Sequence, residues 1–131
     1  MTTAPVAASA ASAVADADRR RVLTNATLKA TDLLEIPQTV LAKLLGVSAP
    51  QVSRMRQGAY LLDESRKEWE LAALFLRMYR SLDSIAVNEE ARAWLNSRNR
   101  GLNGEKPVAL IPSAAGLVRV VDYLDAARAR A

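Results

Sequence analysis

Large apolar residues along this chain recur at helical spacing rather than in alternation. From Gln38 to Gly58 the sequence reads QTVLAKLLGVSAPQVSRMRQG. Leu41, Leu44 and Leu45 give one short helix a buried face, and Val52 and Met55 give a second helix its inner face. Farther on, Leu71, Leu74, Phe75, Met78 and Leu82 form one continuous stripe, widened by Trp69, Leu76 and Tyr79. This predicts a long helix from about Asp63 to Leu82, with Asp63 as its cap and Glu64 at the positive end of its dipole. A shorter helix is expected to start with Asn88 as its cap and Glu89-Glu90 in its first turn, and to end around Ser97. Leu117, Val120, Val121 and Leu124 then mark a narrow face on a last helix, capped by Ser113 behind Pro112. Ahead of all these, a first helix is expected from about Ala17 to Leu34, with Thr24-Asn25 its weak point. No segment reads as a strand, so the expected fold class is all-α.

Between Leu45 and Val52 the residues change the picture. Gly46 can take the left-handed conformation that closes a helix. Ser48-Ala49-Pro50-Gln51 reads as a capping box, in which Ser48 accepts from the Gln51 amide and Gln51 reaches back to Ser48. Pro50 is tolerable because a first-turn amide has no intrahelical partner. Ala42 is small where a second helix would cross. The combination resembles the helix-turn-helix of the Xre/Cro-repressor type, whose second helix lies in the DNA major groove. An ordinary helical hairpin is the plainer alternative. The resemblance implies Ser48, Gln51, Ser53, Arg54 and Gln57 as DNA contacts, with Arg54 the best candidate for a guanine and Arg56 turned inward or onto phosphate.

Composition narrows the chemistry. The 131 residues include neither cysteine nor histidine, so disulfides, thiolate chemistry and the commonest general base and metal ligand are unavailable. Glu89-Glu90 are adjacent carboxylates, but neighbours on a helix do not face each other. No enzyme, cofactor or metal site is expected. The formal net charge is +4, and residues 1–62 carry seven basic and four acidic side chains, which suits a nucleic-acid partner near the proposed reader. No apolar run is long enough to span a bilayer, and a cytoplasmic location is expected. Residues 1–16, rich in Ala, Ser and Thr and poor in large apolar side chains, read as a flexible arm. Arg19, Arg20 and Arg21 read as a solvated helix start more readily than as an arm on DNA phosphates.

The segment EARAWLNSRNRGLNGEKPVALIPSAAGLVRVVDYLDA, from Glu90 to Ala126, is similar to the toxin-binding C-terminal domain of Xre/ParS/MbcA antitoxins, the partners of RES-domain (ParT/MbcT) toxins. Trp94-Leu95, Asn99, Leu102, Asn103-Gly104, Pro107, Leu110, Gly116 and Tyr123-Leu124 carry the likeness. Asn103 stands where a glycine is frequent, and Asn also tolerates a left-handed backbone. After the flexible arm (1–16), the expected organisation is a helix-turn-helix DNA-binding domain (17–62), a long helix (63–87) that connects and whose wide stripe leaves room for dimerisation, and, by the resemblance, a toxin-binding domain (88–131). The resemblance implies an antitoxin that blocks the NAD pocket of an NAD-consuming or ADP-ribosylating RES toxin. It also implies repression of its own operon, as a homodimer on a palindromic operator. Asn99, Leu102, Asn103, Gly104, Tyr123, Asp125, Arg128 and Arg130 are the candidate toxin contacts, with Asp122, Leu124 and the carboxylate of Ala131 also in the terminal helix.

The same residues admit a purely architectural reading. Trp94 and Leu95 suit a core. Asn99, Asn103 and Gly104 suit a loop, Gly116 a close helix approach, and Tyr123 the edge of a core. The competing function is a stand-alone Xre-family repressor whose C-terminal half only dimerises it.

Overall fold

The computed structural model describes residues 6–130. Seven α-helices follow one another: α1 (Val6–Leu33), α2 (Gln38–Leu45), α3 (Ala49–Arg56), α4 (Lys67–Asp83), α5 (Glu89–Leu95), α6 (Pro107–Leu110) and α7 (Ala114–Arg130). A 3-10 turn, Arg100–Leu102, lies between α5 and α6. Among the described residues the sole β feature is an isolated bridge between Asn99 and Glu105. The all-α expectation therefore holds.

Helix α4 is the axis of the molecule, because α1, α2 and α7 all pack on it. Three neighbours demand a wide buried face, and Ala72, Phe75, Leu76, Met78 and Leu82 supply it, while Leu71 and Leu74 flank it half-buried. Leu41, Leu44 and Leu45 of α2, Val52 and Met55 of α3, and Leu117, Val120, Val121 and Leu124 of α7 complete one continuous core.

Four expectations need correction. Helix α1 begins at Val6 and runs unbroken for 28 residues, through positions 6–16 that were expected to be a flexible arm; residues 1–5 of that arm lie outside the described residues. Alanine has the highest helix propensity and needs no burial to express it. Thr24 does not interrupt α1 either. The hydroxyls of Thr24, Thr27 and Thr31 donate to the carbonyls of Arg20, Leu23 and Thr27, four residues back, so these buried side chains are satisfied within the helix. Thr24 Oγ1 also accepts from the Leu62 amide at 2.9 Å, tying α1 to the segment before α4.

The cap of α4 differs as well. Asp63 accepts from the amide and hydroxyl of Ser65 in a tight turn, and α4 starts only at Lys67 with no side-chain cap. The reason is Glu68, buried at the base of the turn. Its carboxylate accepts from the Tyr60 hydroxyl and, at 3.0 Å, from the Asp63 amide, which folds residues 60–66 over the start of α4. Burial and this bond to Glu68 raise the Tyr60 phenol above its ordinary range. Asn88, expected as a side-chain cap, makes no such bond and instead turns the backbone at φ 52°.

The C-terminal layer follows the sequence closely. Ser113 caps α7 by accepting from the Gly116 amide at 3.0 Å. A Cβ on Gly116 would fall 2.0 Å from the Leu110 carbonyl oxygen, so α6 and α7 meet there at backbone contact. Arg92 of α5 reaches the far end of α1, donating to the Leu33 carbonyl at 3.1 Å and pairing with Glu35 at 3.0 Å. Glu35 sits at φ 53° in the corner that sends the chain into α2.

Candidate DNA-reading and toxin-binding surfaces

Helices α2 and α3 meet through a turn built as its residues dictate. Gly46 adopts φ 72°, and the following amide of Val47 bonds back to the Ala42 carbonyl. Ser48 accepts from the Gln51 amide at 3.2 Å. The reciprocal half of the expected capping box is absent: the Gln51 side-chain oxygen accepts from Arg54 Nη1 at 2.6 Å. With Val52 and Met55 buried, α3 turns Ser53, Arg54 and Gln57 to solvent. Arg54 and Gln51 thus stand as a joined pair on the outer face. A guanidinium steadied by a side-chain amide keeps its remaining donors for a base edge or a phosphate.

Arg56 is placed differently. Its guanidinium grips both carboxylate oxygens of Asp32 at 2.8 and 3.2 Å, and its Nε donates to Gln38 at 2.7 Å. The bond to Arg56 holds the Asp32 carboxyl below its ordinary range. Arg56 therefore ties α3 to α1 and α2 across the surface.

At the other end of the molecule, residues 99–105 wrap around Asn99. Its side-chain oxygen accepts from the Gly101 amide at 2.8 Å, and its carbonyl accepts from the amides of Leu102 and Gly104. Asn103 and Gly104 both take left-handed backbone, at φ 57° and 77°. Leu102 is 1% exposed. It plugs the loop into the core, so of the candidate contacts it is the one this structure places below the surface.

Trp94 and Tyr123 stack with centroids 6.0 Å apart and planes inclined by 23°. Gly101 lies against the Tyr123 ring: a Cβ there would come 2.3 Å from Cε2. The structure thus sets the loop that holds Asn99, Asn103 and Gly104 against Tyr123 through Gly101. It also adds Trp94 and Gly101, which the list of candidate contacts omitted. The short Asn99–Gly101 spacing was the available signal for Gly101, since an Asn side chain readily bonds the amide two residues on.

Asp125 does not join this contact. Two residues along a helix lie on nearly opposite sides, and Asp125 faces α4, accepting from Ser81 Oγ at 2.7 Å and Arg77 at 2.6 Å. These bonds, Ser81 foremost, hold its carboxyl below the ordinary range. In this structure Asp125 serves as a tie between α7 and α4. Arg128 and Arg130 are exposed in the last turn of α7, where cations complement the helix dipole; the Ala131 carboxylate lies outside the described residues. Among the described residues, no group of three or more acidic, His or Cys side chains could hold a metal ion, and no helix is long and apolar enough to cross a membrane.

Comparison with known proteins gives this geometry a lineage. Residues 13–77 match the family described as the antitoxin Xre-like helix-turn-helix domain. Residues 81–130 match the antitoxin Xre/MbcA/ParS C-terminal toxin-binding domain. The two matches meet inside α4. No curated protein matches the chain. Among solved structures, a chain of the M. tuberculosis MbcT-MbcA toxin-antitoxin complex has the same fold, with a TM-score of 0.61 and 22% identity over 80% of this chain and 92% of that one. With both domains present in order, the chain belongs to the Xre/MbcA/ParS antitoxins: a helix-turn-helix antitoxin of a toxin-antitoxin system.

Proposed function

We propose that this antitoxin neutralises a RES-domain toxin that consumes NAD or transfers ADP-ribose from it. In this reading the C-terminal layer occupies the toxin's NAD pocket, and the helix-turn-helix represses the antitoxin's own operon. The observation that carries the reading is that the candidate DNA and toxin contacts, exposed or half-buried, fall on separate elements. Arg54 and Gln51 stand on α3. Asn99, Asn103, Gly104 and Tyr123, with Arg128 and Arg130 beyond them, stand in the segment matched by the toxin-binding domain.

A pocket that binds an anionic dinucleotide presents donors and positive charge. The acceptors suited to it here are the unpaired carbonyls at the C-terminal end of α7 and the side-chain oxygens of the Asn99–Gly104 loop. Tyr123 supplies a flat apolar face with a polar tip, suited to a slot that holds an aromatic base. Arg128 and Arg130 pair with toxin carboxylates. Leu102 and Asp125 act from behind, by holding this layer in place.

On DNA, a homodimer sets two copies of α3 into successive major-groove faces of a palindromic operator, with half-sites about 10 base pairs apart or a multiple of that. The test is co-expression with a RES toxin. The full chain should restore growth, and a chain trimmed of Arg128 to Ala131 should protect less while binding its operator unchanged. Operator binding without any complex with a RES toxin would leave the chain a repressor only, and end the neutralisation reading.

A further inference from the structure

Tyr60 and Glu68 lie outside α3, yet their bonds lead back to it. Beyond α3 the chain turns at Gly58, with φ 75°. The amides of Ala59 and Tyr60 then donate to the Arg54 carbonyl at 2.8 and 3.3 Å. Arg20 of α1 donates to the carbonyls of Leu61 and Leu62, each at 2.9 Å. The Tyr60 backbone is thus held between Arg54 and α1. Its hydroxyl donates to Glu68 Oε2, which also accepts from the Asp63 amide at 3.0 Å. Glu68 is 5% exposed, and Arg66 Nε lies 3.6 Å from its other oxygen.

A carboxylate offers acceptors only. Tyr60 therefore turns its one hydroxyl proton to Glu68, and its phenol oxygen is left as an acceptor. Gln51 of α3 borders that phenol and favours its ionised form, as a donor does and an acceptor does not. The NH2 end of Gln51 is thus the end turned to Tyr60. The carbonyl end is left for Arg54, whose Nη1 donates to it at 2.6 Å. Donors and acceptors follow one direction along the chain, from Arg54 to Gln51 to Tyr60 to Glu68. A Gln51 amide turned end for end would set its own donors against the guanidinium.

We propose that Tyr60 and Glu68 are positioning residues for DNA reading: the buried carboxylate fixes which end of Gln51 faces Arg54, and so aims Arg54 at guanine. The proposal rests on Arg54 being the base reader, and it adds why that reader prefers one base. A guanidinium with one donor tied to Gln51 keeps enough others for the paired acceptors O6 and N7 of guanine. Gln51, with its carbonyl committed to Arg54, cannot offer adenine the donor and acceptor that a free glutamine offers. The same chain of bonds thus orients Arg54 and keeps Gln51 from reading adenine.

The test begins by selecting duplexes from a random-sequence library with the full chain. Each guanine of the selected duplex is then replaced by adenine in turn, and the affinity ratio is read by anisotropy. The wild type should show a guanine preference that Arg54→Ala loses. Tyr60→Phe removes the hydroxyl and keeps the ring, and Glu68→Gln puts in a group that can also donate. Each should lower the guanine-over-adenine ratio at that position about tenfold. The salt slope should stay unchanged, because phosphate contacts are untouched. In an Arg54→Ala background neither change should alter the ratio further. A loss of folded protein weakens binding to every duplex alike, so the ratio reads positioning. Circular dichroism checks the fold, and Tyr60→Phe, the milder change, decides if Glu68→Gln does not fold. A folded Tyr60→Phe that keeps the wild-type ratio, while Arg54→Ala loses it, overturns the positioning role and leaves the reader standing. If Arg54→Ala keeps every base preference, the reader and its positioning residues fall together.

Discussion

Asp125→Ala asks whether the terminal helix is aimed at the toxin or at its own core. In the structure the Asp125 carboxylate is the acceptor for Ser81, whose side chain is fully buried. Removing it leaves that hydroxyl without its partner, which costs about 1–3 kcal/mol. The accompanying ion pair adds little, because Arg77 is 66% exposed and such pairs are worth under about 1 kcal/mol. The change should lower the urea midpoint at neutral pH with an unchanged slope. Ser81→Ala removes the donor at the same time, so the double variant should cost less than the two single variants added together. The pH dependence has a fixed sign. The folded carboxyl is held below its ordinary value of 3.8, so its contribution is complete above that value and disappears as pH falls through the lower folded value. Wild type and Asp125→Ala should therefore converge in acid. A variant with wild-type stability at neutral pH but no neutralising activity would refute this reasoning and return Asp125 to the toxin interface.

Other outcomes follow from the same geometry. Arg54→Ala should weaken operator binding in a gel-shift or anisotropy titration, with about 1–3 kcal/mol of base discrimination lost, while neutralisation persists; unchanged affinity would remove Arg54 from the reader. Gly101→Ala forces a methyl into the Tyr123 ring and should cost about 1–3 kcal/mol, with altered Trp94 fluorescence and weaker toxin binding. Because the Tyr60 phenol is raised above 10.0, its contribution to stability is complete below pH 10.0 and is lost as pH climbs through the higher folded value. Tyr60→Phe should flatten that alkaline loss in a denaturation series.

Local chemistry made much of this protein legible from sequence. Gly46 and Ser48 close and cap neighbouring helices by bonds to residues no more than five positions away, so their roles are written in the residues themselves. The buried face of α7 follows from spacing alone. The loop signature from Asn99 to Gly104 was equally readable, because left-handed backbone is open to few residue types. The helical reach of α1 into its alanine-rich start was missed because apolar spacing detects burial, and Ala10 to Asp16 are exposed.

Tertiary structure decided what depends on partners distant in sequence. Arg56 meets Asp32 at 24 positions' separation, and Asp125 meets Ser81 at 44. A charged side chain on an amphipathic helix has no address until the neighbouring helix is in place. Leu102 could equally have been a contact or a plug, and Asp125 a lure or a tie. Packing against α4 gives Asp125 its partners Arg77 and Ser81, and burial of the loop's apolar tip gives Leu102 its place in the core. The sequence by itself determined which stretches are helices and where they turn. Which face each helix gives to the core, and which it leaves exposed, was settled only when α1, α2 and α7 closed around α4.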